Sequence, residues 1–320
     1  MQKRALGQSD VEITPILMGT WQAGRDMWVD IDDAETTKAI RAAVEVGMTT
    51  IDTAEEYGEG YSERIIDQAL QGYPRSRVEL ASKVFCNHLN YEQVLDACNR
   101  SLKNLQTDYL DLYQIHWPAG SFGSEIVPVA ETMGALNKLK EQGKIRAIGV
   151  SNFSLAQLKE ASQYGRIDSL QPPYSLFWRK IEPEITDYCI KHQITVLAYS
   201  SLAQGLLTGK FGPGHQIAKE DNRIDNKLFQ GENYNRALQA VEKLQPIAER
   251  YQCTLAQISL AWLIAQPQTC AIAGSRNAEQ VMDNAGAMAV HLSEEDIKVI
   301  DSIGRGVTDY LDDSPVMWNW

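Results

Sequence analysis

Apolar runs of strand length alternate with longer amphipathic segments along almost the whole chain. The short runs are rich in aliphatic and β-branched residues, whereas the longer segments repeat apolar residues at helical spacing. This alternation predicts βαβ units and a parallel sheet. The predicted strands cover residues 15–19, 49–52, 78–83, 110–116, 145–150, 169–172, 195–199 and 270–273.

The amphipathic segments supply a helix for each of these strands. They cover residues 33–46, 62–71, 91–105, 126–142, 154–164, 184–192, 255–265 and 278–287. Two more segments, 235–251 and 294–304, are predicted to be extra helices. Eight βα units favour a closed (β/α)₈ TIM barrel over an open doubly wound sheet. Short β-like pieces at 3–6 and 11–13 predict an N-terminal hairpin, and no linker divides the chain, so we expect one domain over residues 1–320.

The connection over residues 211–234 is longer than an ordinary loop and is rich in Gly, Asn and charge. Loops of this length are usually functional. We therefore expect it to take part in binding.

Composition narrows the possible partners. The chain has 320 residues, of which 44% are hydrophobic, and a net charge of −12, which argues against binding to nucleic acid or anionic membranes. The N-terminus carries no apolar run of signal-peptide length, so we expect a cytoplasmic protein. The five cysteines are far apart and form no CxxC pair, which indicates neither a disulfide scaffold nor a metal site.

Polar side chains with acid–base chemistry follow three neighbouring predicted strands. Asp52 ends the second strand, Tyr57 lies in the next loop, Lys83 ends the third strand and His116 ends the fourth. The C-terminal strand ends of a barrel surround its active site, so these groups are expected to converge. Each one alone has an ordinary explanation as a turn, rim or core residue. A lysine within a strand is harder to dismiss, because ammonium groups are rarely buried without a partner.

The four groups together indicate proton transfer. A phenol has an ordinary pKa of about 10, so Tyr57 would act as a general acid more readily beside a cation that stabilises phenolate. Lys83 is the expected cation, and Asp52 is expected to compensate its charge. His116 would orient a carbonyl oxygen or relay the proton.

At these positions the sequence resembles the aldo-keto reductase family. The resemblance runs almost end to end and includes Gly19-Thr20-Trp21, residues 47–54 with Tyr57-Gly58, Lys83, residues 110–113 with His116-Trp117, residues 149–153, Gln171, Tyr199-Ser200, residues 205–207 and Gly274-Ser275-Arg276. It implies a barrel that uses NAD(P)H without a Rossmann domain. It also implies an enzyme that passes hydride from the nicotinamide to a carbonyl carbon while Tyr57, in a tetrad with Asp52, Lys83 and His116, protonates the oxygen.

The resemblance also implies a cofactor site. Ser151, Asn152 and Gln171 match the carboxamide-binding residues, and Tyr199 matches the aromatic residue that stacks on the nicotinamide. The remaining cofactor residues implied are Gly19, Thr20, Trp21, Ser200, Leu202, Gly205, Gly274, Ser275, Arg276, Gln280, Asp283 and Asn284, with the loop over 211–234 as a clamp. The sequence departs from the best-known members at Gly274, Arg276 and Gln280. Its Gly-Ser-Arg pattern is similar to a bacterial-type branch that binds NADPH, so we favour NADPH, with NADH as the alternative.

Arg276 follows the last predicted strand. A guanidinium group there would bind a 2′-phosphate or stack on adenine, although a plain surface arginine is the alternative. Residues 205–210 superficially resemble a P-loop, but they are one residue short and lack Ser or Thr after Lys210, so they fail as a nucleotide fingerprint.

Aromatic residues are expected to wall the substrate pocket. Trp21, Phe85 and Trp117 each follow a predicted strand, although packing in the core or at the rim is equally possible for each. The chain ends in Met317-Trp318-Asn319-Trp320, and two exposed terminal tryptophans would be unusual, so we expect this tail to pack near the active-site mouth.

Two alternatives to carbonyl reduction stay open. The same residues would serve a sugar or polyol dehydrogenase, because the chemistry is reversible. Barrels of this family also act as potassium-channel β subunits, in which the fold is an interaction module. The complete tetrad favours catalysis, while the substrate and the oligomeric state are not determined by the sequence.

Overall fold

Eight parallel strands close into a barrel in the computed structural model, which describes residues 3–26 and 28–319. Each strand pairs with its neighbour in chain order, and the last pairs with the first, with Ala271 opposite Ile16. The predicted barrel is confirmed. Its strands are β3 (Ile16–Gly19), β4 (Thr50–Asp52), β5 (Glu79–Val84), β6 (Leu110–Ile115), β7 (Ile145–Ser151), β8 (Ser169–Gln171), β9 (Thr195–Ala198) and β10 (Thr269–Gly274).

Helices surround the barrel, and two of them are additions to the eightfold pattern. The additions are α7 (Gly231–Arg250) and α10 (Glu294–Thr308). The other helices are α1 (Asp33–Val46), α2 (Tyr61–Leu70), α3 (Tyr91–Asn104), α4 (Val129–Glu141), α5 (Leu155–Ala161), α6 (Glu184–His192), α8 (Leu255–Ile264) and α9 (Ala278–Gly286).

Side-chain caps fix several helix starts. Asp32 accepts a 2.9 Å hydrogen bond from the backbone N–H of Glu35 at the start of α1, which ends at the left-handed Gly47. Ser154 and Gln157 form the reciprocal capping box predicted for α5. These local signals explain why the bounds of α1 agree with the prediction.

Four predicted helix bounds are wrong by three or more residues. The helix predicted over 154–164 ends at Ala161, and the helix predicted from residue 235 begins at Gly231. The other two have local reasons. The helix expected from residue 126 begins at Val129, because backbone before Pro128 favours an extended conformation, and Ile126 is 84% exposed. The helix expected to end at Gly304 continues to Thr308. Gly304 is there for packing, since a Cβ would lie 2.6 Å from the Leu176 carbonyl oxygen.

An N-terminal hairpin covers the end of the barrel opposite the C-terminal strand ends. Its strands, β1 (Arg4–Ala5) and β2 (Glu12–Ile13), are antiparallel as predicted. The backbone N–H of Gly7 donates to Thr195 Oγ1 at the start of β9, at 2.8 Å. The hairpin side chains Leu6 and Ile13 extend the barrel's inner core, so the closed end is filled with apolar atoms.

The cysteines are free, and Cys86, Cys98, Cys189 and Cys270 are buried while Cys253 is half-buried. Among the helices formed by residues 3–26 and 28–319, none has the length and apolar character needed to cross a membrane.

Candidate active site

The predicted tetrad converges at the C-terminal strand ends. Asp52 ends β4, Lys83 lies near the end of β5 opposite Gln114 of β6, and His116 follows β6 directly. Tyr57 reaches the same point from the turn after β4. The barrel's parallel register therefore places four side chains from separate segments around one position.

The Lys83 ammonium group is completely buried and is held by three oxygen atoms. It donates 2.7 Å to Asp52 Oδ2 and 2.8 Å to the Thr53 carbonyl oxygen. A longer hydrogen bond of 3.4 Å reaches Tyr57 Oη. All three ammonium protons thus have acceptors, and one of them is the expected proton donor.

Desolvation sets the protonation states of the site. It raises the pKa of Tyr57 well above its usual value, and the charge of Asp52 adds to the rise. It lowers the pKa of Lys83, against the opposing effect of Asp52. It also lowers the pKa of His116, with a further contribution from Lys83. Lys83 was expected to ease the ionisation of Tyr57, but desolvation outweighs that effect, and the site holds a protonated phenol beside a neutral imidazole.

Asn152 connects the tetrad to the predicted nicotinamide wall. Its backbone is left-handed, with φ of +60°, a conformation that asparagine tolerates better than most residues. Its Nδ2 donates to the His116 carbonyl oxygen at 3.0 Å, and its Oδ1 accepts from Tyr199 Oη at 2.8 Å. This strained residue therefore fixes Tyr199 relative to His116.

Gln171 makes the corresponding link to the acid of the tetrad. Its Nε2 donates to Asp52 Oδ1 at 3.0 Å, while Ser151 Oγ donates to its carbonyl oxygen at 2.7 Å. The carboxylate of Asp52 is thus shared between Lys83 on one oxygen and Gln171 on the other.

A cavity of about 850 Å³ opens above the tetrad. All cofactor and pocket residues expected from the sequence line it except Ser275, and the tetrad contributes Asp52, Tyr57 and His116. Lys83 lies beneath the floor. Ser275 lines a smaller neighbouring cavity of about 260 Å³ and accepts a 3.0 Å hydrogen bond from Asn284 Nδ2, which places it behind the main wall.

Aromatic rings surround the end of the cavity above His116. Phe85 meets the His116 ring at 5.6 Å, and Trp117 meets Phe122 at 5.0 Å, both edge to face. Trp318 is 3% exposed and lies 6.3 Å from the Tyr199 ring at an angle of 13°. The tail therefore packs at the active-site mouth, as the sequence suggested, while Trp320 lies outside the described residues.

The rim beside these rings carries acidic groups. Glu56 stands at the exposed edge of the cavity, and its pKa is raised by partial desolvation and by the charges of Glu55 and Asp26. Asp26 Oδ2 accepts a 2.8 Å hydrogen bond from the backbone N–H of Gly58.

The opposite end of the cavity is cationic. Lys210, Arg223 and Arg276 line it, and desolvation together with both arginine charges lowers the pKa of Lys210 to about 8. Arg223 is held by Asp221, which accepts a 2.7 Å hydrogen bond from its Nε. Of these three cations, the sequence identified Arg276 alone.

Several other residues of the cavity wall were missed, and most of them lie outside the barrel strands and the α-helices, in segments without periodicity or a complete motif; Ala256 in α8 and Ile272 in β10 are the exceptions. Lys210 ends the segment that fails as a P-loop. Arg223 lies in the loop over 211–234, which was predicted to be functional without naming a residue in it. The missed residues are Gln22, Asp26, Trp28, Glu56, Phe122, Ser201, Gln204, Thr208, Lys210, Arg223, Ala256 and Ile272.

Comparison with known sequences and structures places this arrangement among related proteins. The sequence pattern of the aldo/keto reductase family matches residues 15–305. The NADH-specific methylglyoxal reductase of Escherichia coli (strain K12) is 35% identical over 328 residues, which cover 96% of this chain and 99% of that protein.

Two solved structures share the architecture. The glycerol dehydrogenase AKR11B4 from Gluconobacter oxydans superposes with a TM-score of 0.87 at 32% identity, covering 98% of both chains. An aldo/keto reductase from Klebsiella pneumoniae, solved with NADP and acetate, superposes with a TM-score of 0.75 at 31% identity and covers 95% of both chains.

Proposed function

As a member of the aldo/keto reductase family, the chain is a carbonyl oxidoreductase, and we propose that it uses NADPH to reduce aldehydes or ketones with Tyr57 as general acid. The observation that carries this proposal is the hydrogen-bonded series Asp52–Lys83–Tyr57 beside His116 at the base of the cavity.

The protein's own groups divide the proton chemistry. Tyr57 keeps its proton at neutral pH and donates it to the carbonyl oxygen as negative charge develops there. Lys83 then stabilises the resulting phenolate across 3.4 Å, while Asp52 balances the ammonium charge. Neutral His116 orients the oxygen from the side, its ring centroid 5.5 Å from that of Tyr57. Bound NADPH supplies the hydride.

The cavity fits a phosphorylated dinucleotide. Amide groups of Asn152 and Gln171 lie at the end near the tetrad, where a carboxamide would be held, and Tyr199 offers a ring for stacking. The cations Lys210, Arg223 and Arg276 lie at the far end, where phosphate groups would be neutralised. The NADP-bound relative supports NADPH, whereas the NADH-specific relative supports the alternative.

A binding measurement distinguishes the two cofactors. We expect Arg276→Ala to weaken NADPH binding by roughly tenfold or more, because a charge-assisted contact to the 2′-phosphate is lost, and to change NADH binding little. Equal weakening of both would reject the 2′-phosphate role of Arg276.

The aromatic end of the cavity favours small carbonyl compounds without negative charge. One structural relative is a glycerol dehydrogenase, so polyol dehydrogenation is the second candidate function. Reduction is preferred here, because the raised pKa keeps the proton on Tyr57 near neutrality, and Tyr57 becomes a base only at high pH.

The decisive experiment follows NADPH absorbance with a panel of methylglyoxal, aromatic aldehydes and sugars. We expect Tyr57→Phe to lower kcat by roughly 100-fold or more while NADPH still binds. Tyr73→Phe is the matched control, since its hydroxyl bonds to Glu45 on the surface. Robust turnover by Tyr57→Phe, or no turnover of any carbonyl by the unmodified protein, would overturn the proposal.

A further inference from the structure

The cavity wall contains buried polar atoms that have no partner within residues 3–26 and 28–319. They are Trp28 Nε1, Gln204 Nε2 and Gln22 Oε1. Buried polar atoms in native proteins are nearly always hydrogen-bonded, so several unsatisfied atoms around one cavity indicate a polar ligand. The amide atoms of glutamine can exchange by a flip, but an indole nitrogen is only ever a donor. Trp28 therefore specifies that the ligand carries a hydrogen-bond acceptor at this point.

Trp28 also contacts both arginines of the cationic end. The guanidinium carbons of Arg223 and Arg276 lie 5.8 Å and 5.7 Å from the centre of its ring. These are cation–π distances, so the indole holds two positive groups from different loops near its own N–H. Trp21 also packs on the Trp28 ring, edge to face at 5.3 Å.

The charge around Trp28 is incompletely neutralised. Arg223 has Asp221 as a partner, and the carboxylate of Asp30 acts on Arg276. Desolvation is the main cause of the lowered pKa of Arg276, and the charge of Arg223 adds to it, while Asp221 and Asp30 oppose it. Lys210 is a third cation at this end of the cavity, so three positive groups lie near two carboxylates. A group that both accepts hydrogen bonds and carries negative charge meets both needs, and a phosphate has this chemistry.

Trp28 reaches the cavity from a different loop than Lys210 and Arg223. It belongs to the connection between β3 and α1, whereas the two cations follow β9. A phosphate bound by both would connect these two loops. Trp28 would then contribute to retaining the cofactor as well as to recognising it.

We propose that Trp28 is a cofactor-binding residue, whose indole N–H donates to a phosphate oxygen of NADPH and whose ring holds Arg223 and Arg276 beside the same phosphate. The inference rests on the NADPH-dependent function proposed above. It adds a neutral donor from the β3–α1 connection to a site otherwise formed by cations.

The test compares Trp28→Phe with the unmodified protein by isothermal titration calorimetry. Phenylalanine keeps an aromatic face, although a smaller one, for the guanidinium groups and removes the N–H donor. We expect the Kd for NADPH to rise about tenfold, the usual effect of losing a hydrogen bond to a charged group. Tyr73→Phe, which removes a hydroxyl donor bonded to Glu45 outside the cavity, is the control and should keep the Kd of the unmodified protein.

The same titration with NADH identifies the phosphate. Weaker binding of both cofactors assigns the pyrophosphate, and weaker binding of NADPH alone assigns the 2′-phosphate. A Trp28→Phe protein that binds NADPH with unchanged Kd overturns the inference and leaves the proposed function intact. Failure of the unmodified protein to bind either cofactor would instead reject the proposed function.

NMR spectroscopy of the indole N–H group tests the same hydrogen bond without relying on a change in Kd. The indole N–H signal of Trp28 in a ¹⁵N-labelled sample is assigned by its absence in Trp28→Phe. On addition of NADP⁺ we expect it to move downfield, because the proton acquires a charged acceptor. An indole signal that does not move when the site is saturated contradicts the hydrogen bond.

Discussion

The carboxylate of Asp52 lies 2.7 Å from the ammonium group of Lys83, and the two side chains are 4% and 0% exposed. A buried ion pair adds little net stability, because desolvation offsets the attraction between its charges. Removing one partner is costly, however, since the other charge stays buried. The pair that supports Tyr57 therefore also controls the stability of the barrel at this point.

We expect Asp52→Asn to lower the free energy of unfolding by about 3 kcal/mol, because Lys83 loses the one carboxylate that it contacts at hydrogen-bond distance among residues 3–26 and 28–319. The double variant Asp52→Asn with Lys83→Met should recover part of that loss, since no charge is left buried. Urea unfolding checks both. Glu141→Gln, from an exposed pair with Lys138, should cost less than about 1 kcal/mol. A double variant less stable than the single one would contradict this account.

Cofactor affinity should depend on pH through Lys210. Desolvation lowers its pKa to about 8, and the protonated form attracts phosphate, so NADP⁺ should bind most tightly below pH 8 and less tightly as pH rises through this value. A bound phosphate raises the pKa of Lys210, so Lys210 loses its proton at a higher pH in the complex than in the free protein. Calorimetry across this range should show a flatter profile for Lys210→Arg, whose charge persists. An unchanged pH profile in that variant would exclude Lys210 as the cause.

Glu56 is expected to select against substrates that carry a carboxylate. We predict that Glu56→Gln raises kcat/KM for a carboxylated aldehyde by roughly twofold to fivefold relative to methylglyoxal, a small effect because the group is exposed. Its pKa is raised, so the selection should weaken as pH falls and Glu56 becomes neutral. Added salt should reduce the effect. Glu59→Gln, on an exposed turn nearby, is the control, and an equal gain there would remove the special role of Glu56.

Trp318 should limit the size of the substrate. Its neighbours in the tail are tied to the long loop, with the backbone N–H of Lys227 donating to the Met317 carbonyl oxygen at 2.8 Å. We expect Trp318→Ala to enlarge the mouth and to raise kcat/KM for bulky aromatic aldehydes relative to methylglyoxal. Tyr310→Ala, a 64% exposed position before the tail, should leave this ratio unchanged. A fall in the ratio for Trp318→Ala would show that the indole binds substrate instead of excluding it.

The sequence by itself determined the barrel and the position of the tetrad. Each helix must pack its apolar face against the sheet, so the spacing of apolar residues in the sequence already indicates the strands and helices. Asp52, Lys83 and His116 could be placed together from the sequence, since parallel strands bring their C-terminal ends to one rim. Asn152, Gln171 and Tyr199 were identified from the resemblance to the aldo-keto reductase family.

Tertiary structure decided which loops meet across the cavity and what charge its groups carry. Trp28, Lys210 and Trp318 belong to connections about a hundred or more residues apart, with no shared periodicity, so only the closed barrel shows that they line one space. The raised pKa of Tyr57 likewise results from its burial, and the burial of a single side chain cannot be read from the sequence. A strand end predicts where a polar group lies, but its solvent exposure and the long-range contacts around it are fixed only when the chain has folded.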